Sequence, residues 1–235
     1  MKRTFIKSLI LAAFAVVMAS CLPEMDYLYT DTSMCTYVSV NKLKTDSGDI
    51  YHIVTNSSGA NIPDTLKRVM VRADVLNRVE GTSNEYNVRL MEFAGAMVQA
   101  PLLKSTLDEE AVGSDGVSIS TGWISGGYIN LYAYIAMLRP TAVNHKVSLV
   151  FDDIRSNSDT LYFELRHNAY DECPENPSIP LASFEFAGSY MCFPLDGILE
   201  SGKTPVCHLE WDWYDGEEYN YSRTKSRRSG DLTIL

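Results

Sequence analysis

Residues 121–135 read T-G-W-I-S-G-G-Y-I-N-L-Y-A-Y-I, and residues 161–171 read L-Y-F-E-L-R-H-N-A-Y-D. The first stretch is rich in β-branched and aromatic residues, which favour strands. In the second stretch, apolar Leu161, Phe163 and Leu165 alternate with polar or aromatic neighbours. This period of two is typical of a strand with one buried face. The two stretches therefore indicate a chain built from β-strands.

The N-terminus has the pattern of a bacterial lipoprotein signal. Three basic residues precede an apolar run over residues 9–18, which is too short for a permanent membrane span. The run leads into Met18-Ala19-Ser20-Cys21, which resembles a lipobox. We expect cleavage of residues 1–20 and lipid on Cys21, with residues 21–33 as a short acidic tether. An ordinary signal peptide followed by a chance cysteine is the alternative.

The chain is acidic, with a formal net charge of −10 at pH 7. Residues 1–20 hold three basic and no acidic residues, so the mature chain is three charges more negative, at −13. Nucleic acid and anionic lipid surfaces would repel such a chain, so we expect neither as a main partner. No second apolar run approaches membrane-spanning length. The sequence therefore predicts attachment to the outer membrane through the N-terminal lipid alone, on its periplasmic or surface side.

Four cysteines remain besides Cys21, namely Cys35, Cys173, Cys192 and Cys207. In an oxidising compartment they could pair in three ways, and the sequence does not choose among them. Buried free thiols are an equal alternative. The sequence contains no C-x-x-C motif and no local cluster of cysteine and histidine. We therefore predict no structural metal and no cofactor.

Residues 34–104 contain short candidate strands separated by turn-forming residues. The strands are Met34–Val40, Ile50–Thr55, Val69–Leu76, Tyr86–Phe93 and Met97–Leu103. Turn-forming residues mark the breaks, including Ala94-Gly95. Short strands without a useful amphipathic helix indicate a small barrel. Residues 105–116 would form a linker with one helical turn at Leu107–Glu110, capped by Ser105 or Thr106.

Residues 117–224 carry a second set of candidate strands. These are Val117–Ile124, Tyr128–Met137, Val147–Asp152, Leu161–His167, Leu181–Phe186, Val206–Trp213 and Glu217–Arg223. Asp215-Gly216 predicts the hairpin turn between the last two strands. The number and spacing of the strands are typical of a β-sandwich. The arginine-rich stretch Ser222–Gly230 has no apolar residue, so we interpret it as a frayed end that passes into a solvated tail at residues 225–235. Docking of an acidic partner on this stretch is the alternative.

With these motifs the chain resembles the NigD-like lipoproteins of Bacteroidetes. Residues 123–130 match a W-I-G-G-G-Y-L-N-type run of that family, and residues 161–170 contain its L-R-H-N-A-Y-type run. Ser125 replaces a usual glycine, and the arginine-rich tail is not expected of the family. The resemblance implies a lipidated N-terminus, an OB-fold domain and then a β-sandwich. The family is named after a bacteriocin operon, and the resemblance implies no defined biochemical role.

Arg166, His167 and Asn168 are the first candidate binding site. Together they could bind a carboxylate or a pair of sugar hydroxyls. The alternative is a strand end at which Asn168 makes an Asx-type turn and His167 caps a neighbouring carbonyl. We favour this structural alternative.

The sequence shows no catalytic constellation. Ser125 has glycine neighbours but lacks G-x-S-x-G spacing. Ser222 and Lys225 have S-x-x-K spacing, but they lie in a polar stretch that would not desolvate the lysine. The histidines are far apart and outside metal-ligand motifs: His52, His145, His167 and His208. We therefore expect a protein that is not an enzyme and binds no metal.

Aromatic residues crowd the predicted hairpin near the C-terminus. Trp211 and Trp213 share one face of a strand, and Tyr219 and Tyr221 share a face across the turn. An exposed face of this kind would stack on sugar rings or contact a protein. If the face is covered, the tryptophans are core residues, which is the interpretation we favour.

Two threonines are candidate sites of O-glycosylation. Asp64-Thr65-Leu66 and Asp159-Thr160-Leu161 resemble the D-[ST]-hydrophobic sites of exported Bacteroidetes proteins. Thr65 follows Pro63 in a predicted loop, whereas Thr160 borders a predicted strand, so Thr65 is the better candidate. A mass no greater than that of peptide plus lipid in the native host would exclude both.

We thus predict an all-β protein with an OB-like barrel followed by an immunoglobulin-like β-sandwich. Its predicted function is that of a non-enzymatic interaction module of the cell envelope, with an envelope protein as partner. A glycan-binding surface lipoprotein is one alternative. A protective or export factor associated with a bacteriocin is another.

Overall fold

The computed structural model describes residues 26–200, 202–217 and 220–234, and it describes only the backbone of residues 217, 220 and 221. The predicted signal peptide and Cys21 lie outside the described residues, as does Tyr219. Within this part of the chain, no helix has the length and apolar character to cross a membrane.

Five strands close a barrel in the first part of the chain. They are β1 (Tyr29–Ser39), β2 (Lys42–Thr45), β3 (Ile50–Asn56), β4 (Arg68–Arg78) and β5 (Glu85–Val98). β1 pairs with β2 and β4, β3 pairs with β2 and β5, and β4 pairs with β5, so the ring is closed. Alternation along β4 puts Val69, Val71, Ala73 and Val75 inside, each at most 1% exposed. The predicted small barrel is present, and its assignment to the OB type stays a prediction.

The barrel strands differ from the predicted ones in two places near the start of the chain. β1 begins at Tyr29, inside the predicted tether, because its first residues pair with β4 from Tyr29 opposite Val75 onward. β2 was not predicted, since K-L-K-T offers only one large apolar residue, the buried Leu43. Short strands between lysines carry almost no periodic signal.

The predicted break at Ala94-Gly95 is wrong, because β5 runs through it as one strand. A Cβ on Gly95 would lie 2.9 Å from Leu66 Cδ2, so this glycine makes room for a packed leucine and not for a turn. The predicted strand Met97–Leu103 is divided between the end of β5 and the two-residue β6 (Leu102–Leu103).

Residues 105–116, predicted as a linker, contact the following domain. A 3-10 turn (Lys104–Thr106) precedes the short helix α1 (Glu109–Val112). The predicted cap is wrong: Asp108 is the N-cap, and its side chain accepts a hydrogen bond from the backbone N–H of Ala111. Val112 at the end of α1 is buried.

The remaining strands form a β-sandwich, which confirms that prediction. They are β7 (Val117–Ser125), β8 (Tyr128–Leu138), β9 (Lys146–Phe151), β10 (Thr160–Asn168), β11 (Phe184–Pro194), β12 (Val206–Glu217) and β13 (Asn220–Ile234). β11, β8 and β7 form one layer, while β12, β10, β9 and β6 form the other. Leu131 of one layer and Phe163 and Leu209 of the other belong to one buried core. β10 and β12 are parallel, and the immunoglobulin-like assignment stays a prediction.

The predicted solvated tail and the predicted turn at Asp215-Gly216 are both wrong. β13 pairs with β12 along most of its length and with β7 at Thr233 and Ile234, so it joins the two layers. Its basic side chains have two kinds of partner. Arg227 Nη2 lies 2.7 Å from Glu210 Oε2, whereas Arg223 donates to backbone carbonyls, among them Ile179 O at 2.8 Å. Asp215-Gly216 lies within β12 at an irregularity of its pairing with β13. Backbone pairing with β12 and polar side-chain contacts, not apolar periodicity, hold this strand.

Candidate functional site

The motif at residues 123–130 forms the junction between barrel and sandwich. Arg68 of β4 is fully buried and grips Asp46 with two hydrogen bonds, Nη1 to Oδ1 at 2.5 Å and Nη2 to Oδ2 at 2.7 Å. Its Nη2 also donates to Asn130 Oδ1 at 3.0 Å. Its guanidinium lies 4.3 Å from the centre of the Tyr128 ring. The bidentate charged pair lies within the barrel. The contacts of Arg68 with Asn130 and Tyr128 join that pair to the sandwich and fix the relative position of the two units.

The turn of the same motif completes this network. Ser125 Oγ donates to Asp46 Oδ2 at 2.6 Å and accepts from the indole N–H of Trp123 at 2.9 Å. Gly126 has a φ of +58°, and a Cβ there would lie 2.4 Å from Asp46 Oδ1. The backbone must therefore approach the carboxylate so closely that only glycine fits. The motif is used to hold the fold together.

The Arg166-His167-Asn168 motif holds the segment before β7 against the end of β10. Arg166 Nε donates to Gly113 O at 2.8 Å, and Asn168 Nδ2 donates to Glu110 O at 3.0 Å. Asn168 Oδ1 also accepts from the backbone N–H of Tyr170 at 2.9 Å, as in an Asx turn. These contacts match the structural alternative that the sequence favoured. Each polar group of the motif serves a contact within the chain.

His167 is 1% exposed and makes two close contacts. Its Nδ1 lies 3.0 Å from Gly116 O, and its Nε2 lies 2.9 Å from Nδ1 of His145. The side chain of His145 is 4% exposed, and its Nε2 lies 3.6 Å from Glu172 Oε2. Burial lowers the pKa of His167 to about 4. The two histidines are thus neighbours in space, although 22 residues separate them.

A second polar group lies close to this histidine pair. Asp115, Cys173 and Glu175 offer ligand atoms within 4.8 Å of one another. Lys225 Nζ lies 2.7 Å from Glu175 Oε1 as an ion pair without hydrogen-bond geometry, and the Tyr214 hydroxyl donates to Glu175 Oε2 at 2.7 Å. Burial acts to raise the pKa of Glu175, but Lys225 and Tyr214 lower it below its ordinary value. Lys225 thus supplies the positive charge that a metal ion would otherwise bring, and the arrangement is an internal ion pair.

The aromatic side chains of β12 pack inward. Trp211 is half-buried against the sandwich core, and Trp213 is half-buried in a cluster with Phe184 and Tyr214. The side chain of Tyr221 is not described. The two tryptophans are therefore partly covered by these clusters, and the choice between core and binding face stays a prediction.

The remaining candidates lie apart from one another. Thr65 is exposed in the loop before β4, and Thr160 is half-buried at the start of β10, so both stay candidate glycosylation sites. The four cysteines of the described residues are free and buried: Cys35, Cys173, Cys192 and Cys207. His52 pairs with Glu85 and His208 with Asp231, each on its own surface.

A family model for the NigD-like C-terminal beta sandwich domain matches residues 99–223, which is more than half of the chain. The chain belongs to the NigD-like family. The match includes both motifs and the histidine pair. No curated protein matches the chain.

Solved structures share the fold of this NigD-like chain. A candidate toxin-related protein from Parabacteroides distasonis is 18% identical, with 87% of this chain and 94% of that chain covered and a TM-score of 0.61. A NigD-like immunity protein from Bacteroides caccae is 15% identical, with 88% and 93% covered and a TM-score of 0.58. A candidate lipoprotein from Bacteroides fragilis is 13% identical, with 87% and 97% covered and a TM-score of 0.57. At these identities the likeness concerns the fold alone.

The barrel of the NigD-like chain carries a groove that the sequence did not indicate. Its volume is about 350 Å³, and its lining includes the apolar side chains of Tyr37, Leu43, Ile53, Ile62 and Leu90, with asparagines and Asp64 beside them. Val40, which also lines the groove, is 77% exposed. Val38 and Val54, each next in sequence to a lining residue, are 49% and 57% exposed. Val38 and Val54 sit where the pairing registers of β1 and β3 shift. Such irregularities turn side chains outward, which periodicity alone does not predict.

Proposed function

We propose that this NigD-like chain is a non-enzymatic interaction module of the cell envelope, held at the outer membrane by lipid on Cys21. The observation that carries the proposal is the groove on the barrel, whose lining holds six apolar side chains, among them the 77% exposed Val40. Monomeric proteins rarely expose contiguous apolar surface without a use for it. A groove of about 350 Å³ would take one large apolar side chain of a partner protein as an anchor.

The junction supports this proposal, because a binding module benefits from a rigid platform. Arg68, Asp46 and Asn130 fix the barrel on the sandwich, so the groove keeps a constant orientation relative to the rest of the chain. Little loop ordering would then be lost on binding, which favours affinity. The two family motifs serve contacts within the fold, so the proposed binding surface lies outside them.

Photo-crosslinking in the native host tests the groove. A photoreactive amino acid at Val40 is expected to capture one dominant envelope protein. The matched control is Val206, which is 49% exposed on the sandwich, and it should not capture that protein. Val40→Asp should abolish capture from a second photoreactive position at Val54. Equal capture from Val40 and Val206, or none from Val40, would exclude the groove as the docking surface.

The anchor has its own test. Cys21→Ser is expected to move the protein from the membrane fraction to the soluble fraction and to remove the mass of the lipid. An unchanged membrane fraction would mean that the protein is attached in another way.

A protective role against a bacteriocin, or a role in its export, is the second candidate. The names of two structural neighbours favour it, since one is called toxin-related and the other an immunity protein. Deletion of the gene should then make the host sensitive to a bacteriocin of its own or a neighbouring strain. The glycan-binding alternative relied on an exposed Trp211 and Trp213 face, and both rings pack against buried residues.

A further inference from the structure

The His145–His167 pair lies at the loop end of the sandwich and is independent of the barrel groove. It joins three segments: the connection between β8 and β9, the end of β10, and the segment before β7. Glu172 holds the same connection through the Thr141 hydroxyl at 2.7 Å and the Ala142 N–H at 2.8 Å. The pair is therefore part of the contact that keeps these loops closed.

Hydrogen-bond donors and acceptors fix the form of His167. Gly116 O can only accept, so Nδ1 of His167 must carry the hydrogen. A neutral imidazole has one N–H, so Nε2 of His167 is the acceptor. Nδ1 of His145, 2.9 Å away, must then be the donor. His145 therefore donates to His167, and His167 donates to the carbonyl of Gly116.

This arrangement leaves Nε2 of His145 as the place for an added proton. That nitrogen is buried without a hydrogen bond and lies 3.6 Å from Glu172 Oε2. In neutral His145 it presents a lone pair toward the carboxylate, whereas a proton there would give an ion pair with Glu172. A first proton on this nitrogen would face Glu172 and would leave the hydrogen bond between the two rings intact.

A second proton has no place in the closed arrangement. It would go to Nε2 of His167, which would then face the N–H of His145 donor to donor across 2.9 Å. The other charged groups near the pair are Asp115 and Glu175. Asp115 accepts a hydrogen bond from the N–H of Ala169, and Glu175 forms an ion pair with Lys225. Both carboxylates are already engaged, so neither can rescue the broken hydrogen bond.

We propose that His145 and His167 form a proton-dependent latch, which keeps its hydrogen bond with one added proton and opens with a second. Opening would release the β8–β9 connection and the segment at residues 113–116 from the end of β10. The latch would make the loop end of the sandwich, but not the barrel, responsive to acid.

NMR of the full chain with isotope-labelled histidine nitrogens tests directly which ring nitrogens of His145 and His167 carry hydrogen. The chain has only four histidines, so each can be assigned by substitution. At neutral pH, His167 is expected to show a protonated Nδ1 and an unprotonated Nε2. The opposite tautomer, with hydrogen on Nε2 of His167, would overturn the latch whatever any variant does.

Hydrogen exchange tests the opening. Exchange rates are first corrected for intrinsic exchange. The equilibrium constant for opening at residues 113–116 and 139–145 should then rise about tenfold per pH unit as the pH falls from about 6.5 towards 4. Exchange in β4 should not change. His167→Asn, which keeps a donor toward Gly116 O but takes no proton, should abolish the rise, and His208→Asn should leave it intact. The proposal would be overturned if opening did not depend on pH, or if His208→Asn abolished the pH dependence.

Discussion

The barrel–sandwich junction and the loop end of the sandwich are both closed by buried polar groups, but they balance charge differently. At the junction, Arg68 keeps its positive charge at any pH at which the protein is folded, and Asp46 answers it directly. At the loop end, His145 and His167 share a hydrogen bond whose existence depends on how many protons are present. The same kind of burial thus gives a permanent connection in one place and a conditional one in the other.

The largest expected effect comes from breaking the permanent connection. Arg68→Met would leave Asp46 and Asn130 without their buried partner, and we expect a loss of about 3–5 kcal/mol in the free energy of unfolding. Urea unfolding measures this. The control Arg72→Met changes another arginine of β4, which forms an exposed ion pair with Glu92 of β5. It should not measurably change the free energy of unfolding. Similar values for the two variants would mean that Arg68 contributes no more than a surface pair.

Acid should weaken the conditional connection. The pKa of His167 is about 4 in the folded chain against 6.5 for an ordinary histidine, so its contribution to stability is present above pH 6.5 and is lost as the pH falls towards 4. Between pH 6.5 and 4.5 we expect a loss of about 2–3 kcal/mol in urea unfolding. Carboxylates with lowered pKa values act below this range.

The variant His167→Asn separates this effect from general acid denaturation. Its unfolding free energy should be nearly flat over the same pH range, because the titrating group is gone. If the variant retains the full slope, the acid sensitivity of the chain comes from other groups.

A smaller effect should follow from a single methyl group at the junction. Gly126→Ala would place a Cβ against Asp46 and would also strain a φ of +58°, so we expect a loss of about 2 kcal/mol or more. Gly127→Ala shares the positive φ, at +82°, but nothing lies within 4 Å of its Cβ. The difference between the two melting curves isolates the contact with Asp46. Equal losses would show that only backbone strain matters at this turn.

The smallest expected effect lies at the loop end. Tyr214→Phe removes the hydroxyl that donates to Glu175 and accepts from the N–H of Gly116 at 3.3 Å. We expect a loss of about 1–2 kcal/mol, measured by urea unfolding at pH 7. A neutral result would indicate that water replaces the hydroxyl.

Strands with one apolar face were predictable from the sequence, and the strand β13, which is held by polar contacts, was not. Leu161, Phe163 and Leu165 alternate with polar residues because one face of β10 packs on the core, and that pattern is visible without a partner. β13 has no such pattern where Arg227 pairs with Glu210 across the strands. The residues that pair with the side chains of β13 lie on other segments of the chain, so no local sequence pattern predicts them.

The candidate sites divide in the same way. The motif at residues 166–168 was rightly suspected of serving the strand end, because Asn and His at such positions often bond to nearby backbone. Asn130 within an apolar run was a signal for a buried polar partner, but nothing in the sequence identified Arg68. The exposed Val38 and Val54 lie at strand irregularities, which no periodicity reveals.

The four buried cysteines bear on how the protein would fare under changing redox conditions. Burial raises the pKa of Cys173 to about 12 and of Cys207 to about 11, so both remain thiols and not reactive thiolates. None of the four is paired with another. The described fold therefore needs no oxidant to reach it and offers oxidants no ready nucleophile. The described part of the chain would therefore keep its stability whether its surroundings are aerated or anoxic.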